Sequence, residues 1–403
     1  MVGSGAREHA LAWRLSRDGA DVTVAPGNGG TSDNAPISAT DLEALAQLAA
    51  QQHFDITIVG PEAPLAAGIV DLFLARELPV FGPTQAAARL EWSKAWAKEF
   101  FLRTGIPTAR AEIVETDAAA RRAIGRLGLP VAIKADGLAA GKGVWLTHTH
   151  AEVDAALAAA AALGEAAETL LIEECLSGPE LSVLAFTDGE HLAVMPPARD
   201  YKRVFDGDTG PNTGGMGGFS RPGDATPTLL EEVERRVLRP TINALAAEGT
   251  PYRGILYAGL MLTTDGPRVL EYNCRFGDPE CQLILPLLDS SLLEACQSVA
   301  SGTLEPPRWR SAQTFGVVLA AHGYPEAPRL GDPISGLERL PANVHAFHAG
   351  TALRDGELVT AGGRVMTLVS ESRATVYTAA EQVQFTGKHF RRDIGQEVAV
   401  AAR

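Results

Sequence analysis

The chain has 403 residues, 46% hydrophobic and 21% charged, with a formal net charge of -14. That length exceeds one ordinary core and implies two or three domains, and the acidic balance argues against nucleic acid or a membrane as partner, leaving room for a small anion at a local basic cluster. Four cysteines without a CxxC pair, no basic-then-apolar leader and no bilayer-length apolar run imply reduced thiols in a soluble, cytoplasmic protein.

In chain order, residues 1 to about 90 alternate strand and helix. Val2 runs into the turn "GSGAREH", and a helix pattern follows over Arg7 to Arg17. "ADVTVA" reads as a strand, "DLEALAQLAAQQ" as a helix and "DITIVG" as a buried strand. Gly/Pro-rich turns end the strands: "GSGA", "PGNGGT", "GPEAPLAAG" and "GPT". The pattern predicts a Rossmann-like parallel sheet, with ligands outside the carboxyl ends of its strands, where these turns fall.

From about 91 to 305 the character changes. A helix carrying Lys94 ends at "GIPTA", and "PVAIKADGLAAGKGVWLTH" reads as a hairpin with a glycine-rich loop. After an alanine-rich helix come "TLLIEE", "ELSVLAFTDG" and "HLAVMPPA", expected to be antiparallel because their connections are short. The glycine-rich "DTGPNTGGMGG", a helix near 226–247 and the strands "GILYAGLMLTTDG" and "PRVLEYNCRFG" follow. From about 306 the tail is mostly short strands with Gly/Pro turns, a small third domain.

Four stretches carry chemistry. "GSGARE" departs from a dinucleotide fingerprint: Glu8 replaces the third glycine, impairing close helix–strand packing, and "VAPGN" lacks an acid for a ribose 2′-OH. Its N–H groups and helix N-terminus suit a phosphate, with Arg7 and His9 to assist, a plain tight turn being the alternative. "KADGLAAGKGV" is not a Walker loop, because Gly143 follows Lys142. The strand lysine Lys134 and a Gly/Ala hairpin bearing Lys142 suit a polyphosphate, a solvent hairpin being the alternative. "LIEECLSGPELS" sets Glu173, Glu174 and Glu180 in or beside apolar strands, where a carboxylate needs an adenine amino group, a ribose diol or a lysine. In "VLEYNCRFGDPE", period-two alternation puts Glu271, Asn273 and Arg275 on one strand face: two hard oxygens for Mg2+, then an arginine for a phosphate or carboxylate.

Lysine, glycine-rich flap, paired acids and a Glu-x-Asn strand, in this order, resemble the ATP-grasp superfamily. More closely, "GSGAREHALAW", "APGNGGT", "TIVGPEAPLAAG", "FGPT", "LEWSKAWAKEF", "IKADGLAAGKGV", "DYKRVFDGDTGPNTGGMG", "EYNCRFGDPE" and "RRDIG" resemble the phosphoribosylamine–glycine ligases (glycinamide ribonucleotide synthetases) over nearly the whole chain. The resemblance implies an α/β protein: an N-terminal domain over 1–90, a central α+β ATP-grasp domain over 91–305 with a mobile lid at about 108–180, and a small β-rich C-terminal domain over 306–403. It implies a monomeric carbon–nitrogen ligase of de novo purine biosynthesis. Such an enzyme joins glycine to 5-phosphoribosylamine through glycyl phosphate, releasing ADP and phosphate, with Mg2+ or Mn2+.

The resemblance also assigns residues. ATP falls to Lys94, Lys134, Gly137, Gly141, Lys142 and Gly143, with Glu173, Glu174 and Cys175 near the adenine and Glu180 near the ribose. The metal falls to Glu271 and Asn273, with Lys142 and Arg275 on the phosphoryl oxygens. Gly5, Arg7, Glu8, His9, Gly27, Asn28, Gly60, Pro61 and Glu62 would hold phosphoribosylamine. Asp200, Lys202, Arg203, Pro211, Asn212, Thr213, Gly214 and Gly215, with Arg275, would hold glycine and its activated form.

Some features depart from the family pattern. Only Met1 and Val2 precede "GSG", which implies a clipped first strand or an earlier start. "GPELS" replaces the usual Gly-Glu-Glu-Ala-Ser, so only Glu180 carries over. "VSESRATVYTAAEQV" implies a trimmed helix, and "GLMLTTD" offers no second metal carboxylate before Asp265. The alternatives are a ligase of another carboxylate–amine pair and a non-catalytic nucleotide-binding or assembly protein. Intact Lys134, Lys142, Glu271, Asn273 and Arg275 speak against the second.

Overall fold

A computed structural model describes residues 1–137 and 143–396. The opening turns build a small parallel sheet. Val2–Gly3 pairs with Ala25–Pro26, Thr57–Ile58 pairs with Val80–Phe81, and a Val2–Val59 bridge joins the two pairs. The short first strand thus lies inside the sheet. The Met1 ammonium donates to Thr23 O at 2.8 Å, and Gly60 N–H donates to Val2 O at 3.1 Å. The strand expected over 20–25 is reduced to Ala25–Pro26. Val24 turns aside to bridge Asn34, and Pro26 has no N–H with which to extend the ladder. Helix Ala6–Arg17 buries Ala6, Ala10, Leu11 and Leu15 at helical spacing. Helix Leu42–Gln52 is capped by Asp41, whose carboxylate accepts Ala44 N–H at 3.1 Å.

Among the described residues the main sheet has nine strands, all paired antiparallel. Its path runs Gly266–Asn273, Gly254–Thr263, Glu180–Thr187, Ala198–Asp200, Gly217–Ser220, Phe315–Ala320, Arg364–Ser370, His345–His348, with Leu192–Val194 beside Glu180–Thr187. Pairing of Gly217–Ser220 with Phe315–Ala320 grows the C-terminal region from the same sheet as the central one. Pro227–Val233 and Arg239–Ala247 form one helical run through a π-turn at Glu234–Leu238, burying Val233, Val237, Leu238, Ile242 and Leu245. The tail's helix is Arg373–Gln382, ten residues long. Among the described residues no helix is long and apolar enough to cross a membrane.

A second, four-stranded sheet stands apart, in the order Ala111–Val114, Leu170–Glu174, Val131–Ala135, Val144–Thr147. Helices Asp117–Leu127 and His150–Ala161 pack on it through Ala120, Ala123, Ile124, Val153, Ala156, Leu157 and Ala160. The expected hairpin is present, with Lys134 opposite Val144. One expectation fails: Leu170–Glu174 and Glu180–Thr187 are not partners, and they lie in different sheets. The connection between them docks on Gly254–Thr263, where Leu262 N–H donates to Pro179 O at 2.9 Å. Gly178 has φ +149°, and a Cβ there would run into the Leu262 carbonyl.

Candidate active site

The three turns expected to hold phosphoribosylamine come together, but several of their side chains bind the protein itself. Glu8 is 2% exposed; its Oε2 accepts Gly5 N–H at 2.6 Å and its Oε1 accepts Arg7 Nε–H at 2.6 Å. It fills the space above Gly3 and Gly60, where a Cβ would collide with it. The residue expected to impair helix–strand packing therefore supplies that packing. Arg7 also donates to Phe276 O at 3.2 Å and lies 4.0 Å from Glu62. Asn28, which follows Gly27, donates to Ser4 O at 2.9 Å and His348 O at 2.8 Å and accepts Gly30 N–H at 2.8 Å. His9 Nδ1 accepts His348 N–H at 2.8 Å; burial, and then His348, lower its pKa to about 3, so it is neutral. Pro61 precedes the helix Glu62–Ala66.

On the nucleotide side, Lys134 Nζ lies 2.7 Å from Glu173 Oε2 and donates to Leu270 O at 3.2 Å. Glu173 Oε1 takes Lys98 at 2.9 Å, so both oxygens of Glu173 are held by lysines. That is the lysine partner named among the alternatives for Glu173. Glu174 accepts Arg110 N–H at 2.9 Å and Nε–H at 2.6 Å. Cys175 is half-buried, and burial pushes its thiol up. Glu180 pairs with Lys202 at 2.8 Å. Lys94 opens the helix Lys94–Thr104, its N–H directed at Asp136 O at 3.4 Å. Gly137 and Gly143 flank the loop, and Gly143 O accepts Ala135 N–H at 2.8 Å. Gly141 and Lys142 lie outside the described residues.

Arg275 is the node between the two halves. It lies past the end of strand Gly266–Asn273 instead of on its face. Its guanidinium donates to Asn273 Oδ1 at 3.0 Å and Glu62 Oε2 at 3.2 Å, and pairs with Glu91 at 2.8 Å. Burial works against ionisation of Glu62, yet Arg275 and then Arg7 bring its pKa down to about 2. Glu271 tells the same story. Burial would push it up, but Lys202, Lys134, Lys94 and Arg275 hold it below the usual carboxylate range. Opposite Glu271 on the neighbouring strand stands Gly259, which adds no side chain to the space.

The segment after Asp200 folds back as the hairpin Arg203–Phe205 and Thr209–Asn212, with Pro211 inside its second strand. Arg203 donates to Gly210 O at 2.6 Å within that hairpin. Thr213 closes the base, with N–H and Oγ1–H both on Lys202 O at 2.8 and 2.7 Å. Gly214 N–H donates to Tyr324 OH at 3.1 Å, and Gly214 O accepts Arg364 at 2.5 Å. Gly215 has φ +111°; a Cβ there would stand 2.7 Å from Pro279 Cδ and 2.8 Å from Asp200 Oδ1. Among the described residues that Asp200 oxygen is sealed from solvent and has no hydrogen-bond partner. Burial, and then Glu280, push the Asp200 carboxyl up, with Lys202 and Arg364 opposing.

Family models for phosphoribosylglycinamide synthetase match three consecutive stretches: the N domain over 1–91, the ATP-grasp (A) domain over 92–281 and the C domain over 314–397. The chain belongs to the phosphoribosylglycinamide synthetase family. It is 47% identical to the phosphoribosylamine–glycine ligase of Ralstonia nicotianae, covering 98% of both chains. The crystal structure of phosphoribosylamine–glycine ligase from Thermotoga maritima superposes with a TM-score of 0.83 at 38% identity, covering 98% of each chain. The biotin carboxylase domain of the Hydrogenobacter thermophilus 2-oxoglutarate carboxylase shares the fold (TM-score 0.72, 17% identity, 96% of this chain and 90% of that one). The chain is an ATP-grasp carbon–nitrogen ligase.

Several residues that build the site carry little signal in the sequence. Glu91 accepts Cys274 N–H at 2.7 Å while pairing with Arg275, and it carried no local signal. Glu280 closes the quoted "EYNCRFGDPE"; buried, it accepts Tyr257 OH at 2.7 Å and Ser182 Oγ–H at 2.9 Å. Lys98 was legible, since it lies four residues after Lys94 on one helix face. Its pairing yields a stability prediction. Glu173→Ala strands two buried ammonium groups, which costs about 3–5 kcal/mol. The denaturant midpoint of Glu173→Ala should fall accordingly; an unchanged midpoint would show that the lysines find other partners.

Proposed function

We propose that this ligase activates glycine as glycyl phosphate at the junction of Glu271, Arg275 and the 200–217 segment, then passes the glycyl group to the amine of 5-phosphoribosylamine. The product is glycinamide ribonucleotide, an early compound of purine biosynthesis. The observation that carries the reading is Asp200 Oδ1, buried and unpartnered beside Gly215, a position with no room for a side chain. A buried Asp200 oxygen without a partner calls for one, and the ammonium of a two-carbon amino acid would favour the ionised carboxylate against the burial that pushes the group up. The glycine carboxylate then attacks the γ-phosphorus of ATP and ADP leaves. The sugar amine attacks the acyl carbon, phosphate departs with the electron pair, and the amine gives up a proton.

The protein's part is placement and charge neutralisation. Lys94, Lys134 and Lys202, which set the field at Glu271, meet the phosphates on one side, and Arg275 meets them on the other. Glu271 and Asn273 fit a Mg2+ or Mn2+: an ionised carboxylate and an amide oxygen stand among cations. Among the described residues no group of three His, Cys, Asp or Glu could hold a metal, so nucleotide phosphates would complete the shell. When bound, the metal would neutralise developing charge on the phosphoryl oxygens. The sugar phosphate would meet the first-turn N–H groups of helix Ala6–Arg17, since the N–H groups of Gly5, Gly27, Asn28 and Gly60 and the side chains of Glu8 and Asn28 are bonded within the protein. The sheet bearing Lys134 acts as a lid over the nucleotide, and the enzyme works as a cytosolic monomer.

Purified protein given ATP, Mg2+, glycine and phosphoribosylamine should release ADP well above the level seen with glycine omitted. Equal release with and without glycine would overturn the reading. Asp200→Asn should raise the glycine KM by about tenfold or more while the ATP KM stays within about twofold, the loss expected for one charge-assisted contact. Initial-rate kinetics over both substrates checks this.

A further inference from the structure

"RRDIG", residues 391–395, lies near the end of the chain, yet it grips the segment that follows Asp200. Arg391 is 1% exposed, and a buried guanidinium is tolerated only where it is fully paired. Asp393 holds it in a two-pronged pair, Nε to Oδ1 at 2.8 Å and the terminal nitrogen to Oδ2 at 2.7 Å. Its remaining contacts belong to the 201–208 segment. It donates to Arg203 O at 3.0 Å and Asp208 Oδ1 at 3.2 Å, and its guanidinium carbon sits 4.8 Å from the centre of the Tyr201 ring. Neighbouring groups add to the grip: Arg392 N–H donates to Asp206 Oδ1 at 2.7 Å, Gly207 N–H donates to Asp393 Oδ2 at 2.9 Å, and Gly395 N–H donates to Tyr201 OH at 3.3 Å. The hairpin tip so held, Gly207–Asp208, has φ of +69° and +58°.

The gripped hairpin ends in the proposed glycine site on both sides. Asp200 and Lys202 lead into it; Thr213, Gly214 and Gly215 lead out, tied back at Lys202 O. A rotation of the hairpin would therefore move Asp200 and Gly215 relative to each other. We propose that Arg391, oriented by Asp393, is a positioning residue for the glycine-binding wall, and that it thereby limits loss of the activated glycyl group to water. In that loss, water attacks the acyl carbon of glycyl phosphate and the acyl–oxygen bond to phosphate breaks. Phosphate leaves with the electron pair, and glycine is regenerated with release of a proton. ADP then forms without product. The inference rests on the reading that the 200–217 segment binds glycine.

The test compares Arg391→Lys, Asp393→Asn and the double variant Asp206→Ala/Asp208→Ala with the parent enzyme. The double variant removes the grip from the exposed hairpin side, so it informs even if the buried arginine cannot be replaced without unfolding. Glycine KM, ATP KM and ADP released per glycinamide ribonucleotide are measured, with thermal midpoints as a folding check. Each variant should raise the glycine KM about tenfold and the ADP-to-product ratio to about two or more, with the ATP KM within about twofold. Folded variants with unchanged glycine KM and ratio, or with all KM values raised together, would overturn the proposal. Asp200→Asn separates the two readings. If it raises the glycine KM and the Arg391 and Asp393 variants do not, the positioning role alone fails; if it also has no effect, the glycine wall fails and takes the positioning role with it.

Discussion

Glu271→Ala should lower kcat by about a thousandfold or more, the scale on which removal of a group neutralising transition-state charge is felt. Glu271 is held ionised by Lys202, Lys134, Lys94 and Arg275. Removing it takes away the strongest of the oxygen ligands proposed for the metal and leaves the lysines in place. Those lysines can still attract the phosphates, so ATP binding should weaken by only about tenfold. Calorimetric titration of ATP alongside saturating-Mg2+ turnover separates the two quantities. Activity equal to the parent's would remove Glu271 from the metal site.

Gly215→Val should raise the glycine KM by about a hundredfold and change ATP affinity by no more than about threefold, because the strain falls on the wall and not on the nucleotide side. Two independent penalties meet at this position. A φ of +111° is a conformation that a β-branched residue adopts only under strain, and the added Cβ would meet Pro279 and Asp200 at under 3 Å. Pro279 belongs to the "GDPE" turn next to Glu280, so relief by movement there disturbs the same corner. Glycine-dependence curves at saturating ATP, with nucleotide titrations beside them, provide the check. A glycine KM unchanged in a folded variant would mean that the substrate lies elsewhere.

Much of the site was legible because its signals are local. Lys134 opposite Val144, the glycines either side of the flap, and Glu271 with Asn273 on one strand follow from alternation and turn chemistry within a few residues. Glu8 was misread for the same reason: its sequence neighbourhood points to a broken fingerprint, while its job is to fill the gap between Gly3 and Gly60, the latter on a different strand turn. The supposed partnership of Leu170–Glu174 with Glu180–Thr187 rested on a short connection. A short connection limits reach but not which sheet the chain enters, and Glu180–Thr187 pairs along its length with Gly254–Thr263 in the other one.

By itself, then, the sequence determined the alternating first region, the antiparallel character of the rest, the order of the phosphate-suited turns and the residue types of a ligase site. Periods of two and 3.6 and the special torsions of glycine and proline are properties of neighbouring residues, so they survive without a fold. The tertiary structure alone decided which charge meets which. Arg275 and Glu62 are 213 positions apart, Arg391 and Arg203 188, and Glu91 reaches the Cys274 N–H across 183. A buried charge needs a partner, but the need does not name it. Only the closing of the sheets over one another brings Glu91, Asp200, Glu280 and Arg391 to the places where they act.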